Sequence, residues 1–204
     1  MADKQPTFIQ AARRQQILAA AIDAIVELGY ARASLAEIAR RAGITKTAIP
    51  YYFNTKDALV RQIIIDVFMG GGAYIQPQVE AAVGPTAKLG TFIRANLAYI
   101  KDHPKPMAAA FDIVMNAGTA TLGPIMTPAA IDPRIIGLGQ ILRAGQKNGE
   151  FRLFDIHIMA VTITQAIDGI HGQLKASPTL DVAYYADELS SLFLHATQAH
   201  SRSR

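Results

Sequence analysis

The sequence predicts an all-α chain with a small three-helix head at its N-terminal end and a larger helical body behind it. Three observations carry that expectation. Apolar residues return at helical spacing in one segment after another along the 204 residues. Glycine, proline and asparagine punctuate those segments, at Gly29, Gly43, Asn54, Gly70, Pro104, Gly149 and Pro178. The stretch from Ser34 to Leu59, SLAEIARRAGITKTAIPYYFNTKDAL, holds two short amphipathic helices, a tight glycine turn and the start of a third helix.

The head is read as follows. Gln10 to Leu28 is a helix with Ile17, Ala21, Ala24, Ile25 and Leu28 on one face, stopped by Gly29 and bracing the two helices that follow. On it, Arg13 or Arg14 is a candidate phosphate contact. Ser34 with Glu37 three residues on has the form of a capping box, in which the hydroxyl accepts an orphan amide and the carboxylate reaches back to the cap. That helix turns Leu35, Ile38 and Ala39 inward and places Arg40 and Arg41 in its last turn, where cations suit the helix dipole. Gly43 ends it in a left-handed turn. Thr45 is then placed to cap a second short helix with Ala48 and Ile49 inward. Its outward residues, Thr45, Lys46, Thr47 and Tyr51, are short hydrogen-bonding groups, one cation and one aromatic ring. That set suits a helix end pressed into a major groove. Pro50 offers no amide and is expected to shorten or tighten this helix. Thr55 caps a third helix that carries Lys56 and Asp57 in its first turn.

In order, then, the chain has Gly29-Tyr30, Ser34, Ala42-Gly43-Ile44, Tyr51-Tyr52-Phe53 and Lys56-Asp57-Ala58-Leu59. This arrangement resembles the TetR-type (tetracycline-repressor-like) bacterial transcriptional regulators, and the likeness is confined to the head. It implies a helix-turn-helix DNA-binding domain over residues 1–55 and a helical ligand-binding and dimerisation domain over residues 56–204. It also implies a homodimer joined through the last two helices. Thr45, Lys46, Thr47 and Tyr51 would approach base edges, while Ser34, Tyr52 and Lys56 would hold phosphates and fix the register. Pro50 stands where such regulators usually have a phosphate-touching Tyr, so that role is not carried over to it.

Charge agrees with a polyanion at one end. Residues 1 to 62 hold nine Lys and Arg against five Asp and Glu, a net +4, whereas residues 63 to 204 hold eleven against eleven. A net charge of this size is common on unrelated domains, so it discriminates little alone. Cysteine is absent, which removes disulfides, thiolate metal sites and cysteine nucleophiles and suits a reducing cytoplasm. The N-terminal stretch is polar with no apolar signal core. The charge-free run Ile113 to Ile131 is interrupted by Gly118, Gly123, Pro124 and Pro128 and is expected to be a buried helix end plus loop rather than a membrane span.

In the body, a helix is expected from Thr55 to about Met69, with Leu59, Ile63 and Val67 inward and Gly70-Gly71-Gly72 as its stop or a hinge. Pro85 to Lys101 carries Leu89, Phe92, Ile93, Leu97 and Ile100 on one stripe, with Asn96 inside it as either a satisfied core amide or a ligand contact. The next helix turns Met107, Ala110, Phe111, Val114 and Met115 inward, a plain core or a pliable apolar pocket, with Asp112 expected to face solvent. Pro133 to Lys147 follows, stopped by Asn148-Gly149. Asp155 to Lys175 is apolar over much of its circumference, with Val161, Thr164, Asp168 and His171 on a second face. Asp168 and His171, one turn apart, are open to three readings: a salt bridge, a dimer contact, or polar anchors in a pocket. Leu180 to Gln198 is the last amphipathic helix. The candidate ligand residues are therefore Phe92, Asn96, Phe111, Met115, Thr164, Asp168 and His171.

No Gly-rich phosphate loop, HExxH, GxSxG or Cys/His ligand cluster occurs, and neither a metal nor a cofactor is expected. The leading expectation is a ligand-responsive, dimeric repressor in the cytoplasm that binds a pseudo-palindromic duplex and no membrane. Its alternatives are a helical small-molecule-binding protein or enzyme whose head is only structural, and an architectural DNA-binding protein without an effector.

Overall fold

The computed structural model describes residues 8–123 and 132–199. Their regular structure is helical apart from one isolated antiparallel bridge between Phe151 and Gln198. The helices are α1 (Phe8–Leu28), α2 (Leu35–Arg41), α3 (Ile49–Tyr52, preceded by a 3-10 turn at Lys46–Ala48), α4 (Lys56–Ala81), α5 (Pro85–Asp102) and α6 (Pro104–Asn116). They continue as α7 (Thr119–Leu122), α8 (Pro133–Asn148), α9 (Ile156–Asp168), α10 (Ile170–Ala176) and α11 (Val182–Thr197). The polar N-terminal stretch over 1–7, the last residues over 200–204 and the expected loop over 124–131 lie outside the described residues.

Two compact units are formed, Met1–Phe68 with Pro104–Thr127, and Met69–His103 with Pro128–Arg204. This grouping differs from a division at residue 55: α6 and α7 belong with the head, and α4 gives residues to both units. The first unit's core joins Ile17, Ala21 and Ile25 of α1 to Ile38 of α2, Ile49 of α3, Leu59 and Ile63 of α4, and Ala109 and Ile113 of α6. Burying each of the larger aliphatic side chains contributes about 1.5–3 kcal/mol. Polar bonds tie α6 and α7 in as well. The Asp112 carboxylate accepts from the Tyr30 amide at 2.6 Å, where Gly29 turns the chain at φ +83°. Thr121 donates to Asp57 at 3.0 Å, and its carbonyl accepts from Arg61 at 3.0 Å. Asp112 is therefore not a solvent-facing residue. Met115 is 64% exposed and not an inward one, whereas Ala109, Ala110 and Ile113 form the buried stripe of α6.

In the second unit α5 is the centre, packing against α11, α8 and α9. The largest departure from expectation lies at Gly70-Gly71-Gly72, which neither stops α4 nor breaks it. Its reason is the Tyr99 ring of α5. A Cβ on Gly70 would stand 2.5 Å from the Tyr99 hydroxyl, and one on Gly71 would stand 3.4 Å from the ring edge. These glycines admit a close aromatic neighbour inside a helix. Downstream, the helix expected over 155–175 is divided at Gly169 into α9 and α10. On α11, Ala186 and Phe193 are buried, whereas Leu192 is 61% exposed and Ala183 is exposed.

Candidate nucleic-acid interface

The interface is built from local signals. Ser34 caps α2, its hydroxyl accepting from the Glu37 amide at 3.2 Å. The reciprocal half of the capping box does not form: the Ser34 amide donates to the Arg32 carbonyl, and the Glu37 carboxylate turns to Arg40 and Arg41 at 2.7 and 2.6 Å. Those guanidiniums, Arg40 first, hold the Glu37 carboxyl down at about 2. Arg41 also reaches Glu27 at 2.8 Å and so pins α2 to α1. After α2, Gly43 adopts φ +61°, with its amide bonded to the Arg40 carbonyl and the Ile44 amide to the Ala39 carbonyl. This is the paired 5→2 and 6→1 pattern of a Schellman turn, and it sends the chain sharply into the next element.

That element is short. Thr45 precedes it without a side-chain cap; its hydroxyl lies 3.0 Å from the Thr47 hydroxyl instead. Lys46–Ala48 winds as a 3-10 turn, and Ile49–Tyr52 continues as a single α turn with Pro50 in its first positions. Pro50 there forfeits no ladder bond, because first-turn amides lack intrahelical partners anyway. The tightening expected of Pro50 is present. Ile49, fully buried, anchors the inner side, while Thr45, Lys46 and Thr47 are exposed and Tyr51 is 70% exposed. The four expected base-reading residues thus share one open surface.

The expected phosphate contacts fare differently. Ser34 is exposed beside its cap, and Tyr52 is half-buried. Lys56 is turned inward: its ammonium donates to the Tyr30 carbonyl at 2.6 Å and lies 4.3 Å from the Tyr30 ring centre. Burial lowers its pKa below the ordinary lysine value. Arg14 is likewise committed, to the Tyr52 carbonyl and Gln62. A groove of about 350 Å³ opens beside the end of α3, with Arg14, Asn54, Arg61 and Gln62 in its wall.

The seven candidate ligand residues do not form one site. Phe111 and Met115 belong to the first unit and the other five to the second. Phe92 is buried core; buried Asn96 donates to the Phe92 carbonyl at 2.8 Å, and buried Thr164 donates to the Ala160 carbonyl at 2.9 Å. These two are satisfied by their own helices. Asp168 pairs with Arg134, through two bonds of 2.7 and 3.0 Å, and the same guanidinium holds the N-cap Asp132 at 2.7 Å. Burial alone would lower the Arg134 pKa, but the carboxylates of Asp168 and Asp132 prevail and raise it. Burial lowers the His171 pKa, with Arg134 acting in the same direction and Asp168 opposing. A second groove, of about 400 Å³, is lined by Thr86, Glu150, Phe151, His195 and Gln198 and includes none of the seven. Among the described residues no group of three or more His, Asp or Glu side chains is placed to hold a metal ion.

Sequence reasoning missed Arg134 and Gln10. Arg134 sits two residues after an Asp-Pro helix start, the signal that could have placed it against its own cap. Gln10 carries no local signal; its Nε2 donates to the Tyr51 hydroxyl at 2.6 Å, 41 residues away.

Comparison with known proteins bears on this surface directly. The family described as "Bacterial regulatory proteins, tetR family" matches residues 17–63, from the first helix through the short exposed one into α4. The HTH-type transcriptional regulator BetI 1 of Chromohalobacter salexigens is 33% identical over 92 residues, 43% of this chain and 44% of that protein. The chain thus spans less than half the length of that curated relative in the match. A tetR-family regulatory protein from Rhodococcus RHA1 shares the fold with a TM-score of 0.81 at 19% identity, over 93% of this chain and 98% of that one. AibR, solved in complex with isovaleryl coenzyme A and operator DNA, superposes with a TM-score of 0.77 at 19% identity, over 88% of this chain and 97% of its own. The matched segment coincides with the capped, glycine-turned head, so residues 17–63 are a tetR-type segment, and the helical order of the described residues is the fold shared with solved tetR-family proteins.

Proposed function

We propose that this chain is a DNA-binding transcriptional regulator, a repressor that leaves a pseudo-palindromic operator when a small molecule binds. The observation that carries the reading is the exposure of Thr45, Lys46, Thr47 and Tyr51 on one short element whose opposite side is anchored by fully buried Ile49. Side chains so presented can reach base edges while the core stays intact. Residues 1–55 act as the DNA-binding domain and residues 56–204 as the ligand-binding and dimerisation domain, with α6 and α7 packed into the head's own core.

A homodimer through the last helices is supported by apolar side chains left open there, Ile158 on α9 and Tyr184 and Leu192 on α11, each more than 60% exposed. Two heads would then enter successive major grooves about 34 Å apart. Release requires that the ligand bind one conformation of the dimer more tightly than the other. The AibR complex makes an acyl-coenzyme A thioester a first effector to try. The cytoplasm is the compartment where such a regulator meets chromosomal DNA.

The test is selection of bound duplexes from a random pool, repeated with candidate ligands. Enrichment of one palindrome, with affinity falling steeply in salt, is the expected result. Equal binding of all duplexes would leave an architectural protein, and no duplex binding would leave a small-molecule-binding protein or enzyme with a structural head.

A further inference from the structure

We propose that the first two turns of α1 control the reading end of the interface: Gln10 and Arg14 are positioning residues that hold Tyr51 as a hydrogen-bond donor toward an acceptor on the duplex. The proposal rests on the DNA-binding reading above. Gln10 and Arg14 are four residues apart and share a helix face. From that face, contacts land on three consecutive residues. Gln10 Nε2 donates to the Tyr51 hydroxyl at 2.6 Å. Arg14 donates to the Tyr52 carbonyl at 2.8 Å, and its guanidinium lies 4.1 Å from the centre of the Phe53 ring. Its other terminal nitrogen donates to Gln62 of α4 at 2.8 Å. Both residues precede the 17–63 stretch matched by the family, so this brace lies outside what that match describes.

Each contact has a distinct consequence. The Tyr52 carbonyl closes α3, where carbonyls have no intrahelical partner, so a guanidinium both satisfies it and sets a cation at the negative end of the turn. The planar fork also reaches Gln62, so turning α3 about its axis would break at least one of the two bonds. Arg14 therefore fixes the backbone from which Tyr51 projects. Tyr51 itself is 70% exposed, its ring edge-on to Tyr52 with centres 5.0 Å apart. A phenol has one proton to give. Since its oxygen accepts from Gln10, that proton is directed away from the protein. It suits an acceptor: a phosphate oxygen, or the N7, O6 or O4 atoms of the major-groove edge, and not the amino groups of adenine or cytosine.

The experiment uses the full chain and the duplex it selects, with dissociation constants for wild type, Gln10→Ala, Tyr51→Phe, the double variant and Arg14→Lys. Tyr51→Phe should weaken operator binding by about tenfold and Gln10→Ala by about threefold, with Gln10→Ala adding nothing once the hydroxyl is gone. Arg14→Lys keeps the charge and loses the fork, so operator affinity should fall about fivefold while affinity for random duplex and its salt slope stay put. A Gln10→Ala loss that persists in the double variant, or an Arg14→Lys protein that binds operator like wild type, would overturn the proposal. Should Arg14→Lys melt early, the Gln10 and Tyr51 cycle decides alone, since both side chains lie on the surface. Operators carrying single methylphosphonates, 7-deazapurines, 2-aminopurine in place of guanine, or 5-methyl-2-pyrimidinone in place of thymine remove in turn a phosphate oxygen, N7, O6 and O4. Whichever substitution abolishes the Tyr51→Phe effect identifies the acceptor, and an effect that survives all four refutes donation. Wild-type preference for its operator is the control: its absence sinks the DNA-binding reading itself.

Discussion

Three adjacent glycines in α4 give a graded test of how Tyr99 packs. A Cβ meets the Tyr99 hydroxyl at 2.5 Å from Gly70, the ring edge at 3.4 Å from Gly71, and nothing within 4 Å from Gly72. Replacing glycine by alanine inside a helix stabilises it by about 1 kcal/mol when no neighbour objects. Gly72→Ala should gain that amount, and Gly71→Ala should gain less. At Gly70 the new methyl must displace a ring that is only 7% exposed and stacked on His103 with centres 4.2 Å apart. Overpacking of that kind costs about 1–3 kcal/mol, which cancels or exceeds the propensity gain. Removing the offending oxygen with Tyr99→Phe leaves the next ring atom at 3.6 Å, an ordinary contact, so Gly70→Ala should become stabilising in that background. Urea unfolding followed by circular dichroism reads the whole series. Equal stabilisation at all three positions would mean that Tyr99 does not pack as described. Equal destabilisation would mean that the segment is a stop or hinge and not a continuous helix.

The remaining predictions concern charge. Arg134→Met leaves the Asp132 and Asp168 carboxylates, 21% and 25% exposed, facing each other without their cation. It should cost about 2–4 kcal/mol in urea unfolding and be largely rescued when both carboxylates become amides; a loss under about 1 kcal/mol would place the cluster among surface pairs. Glu37, held at about 2 from an ordinary 4.5, contributes stability that is fully present above pH 4.5 and is lost as pH falls through about 2. The stability gap between wild type and Glu37→Gln should therefore narrow as pH falls from 4.5 and close below about 2, and a gap that does not narrow over that range contradicts the ion pairs. Lys46→Ala should relax sequence selection at one operator position by about 1–3 kcal/mol in competition binding, whereas uniform weakening across sequences would make Lys46 a phosphate contact.

The head was legible because its signals are local. Ser34 with its third following amide, Gly43 with its left-handed turn, and Thr55 capping the Ala58 amide at 3.0 Å all act within a few residues. Where sequence reading failed, the partner was remote. Asp112 finds the Tyr30 amide 82 residues back, and Asp168 finds Arg134 34 residues back. Neither pairing leaves a periodicity to read. The glycine triplet failed for a related reason: its chain-local meaning is a helix stop, and only the Tyr99 ring of another helix makes continuation favourable. Glu37 shows competition between two local rules, since its carboxylate gains more from two arginines on its own helix than from one cap amide.

The basic character of the head takes on a different meaning once its bonds are known. Arg14, Arg32, Arg61 and Lys56 each donate to a backbone carbonyl, and Arg40 and Arg41 are paired with Glu37 and Glu27. These cations still add to the field that draws a polyanion toward this end. Their donors, however, are largely committed to holding helices, and swinging one onto a phosphate would cost the bond it leaves. Lys46, exposed among two threonines, is under no such commitment among the described residues. On the proposed function, affinity for DNA in general and choice of sequence would be carried by different side chains: the field would come from a framework of bonded cations, and discrimination would fall to the short exposed element. Two consequences follow for binding. The salt slope of operator binding should report fewer phosphates than the head's nine Lys and Arg would suggest, and it should change little when residues of the short element other than Lys46 are altered.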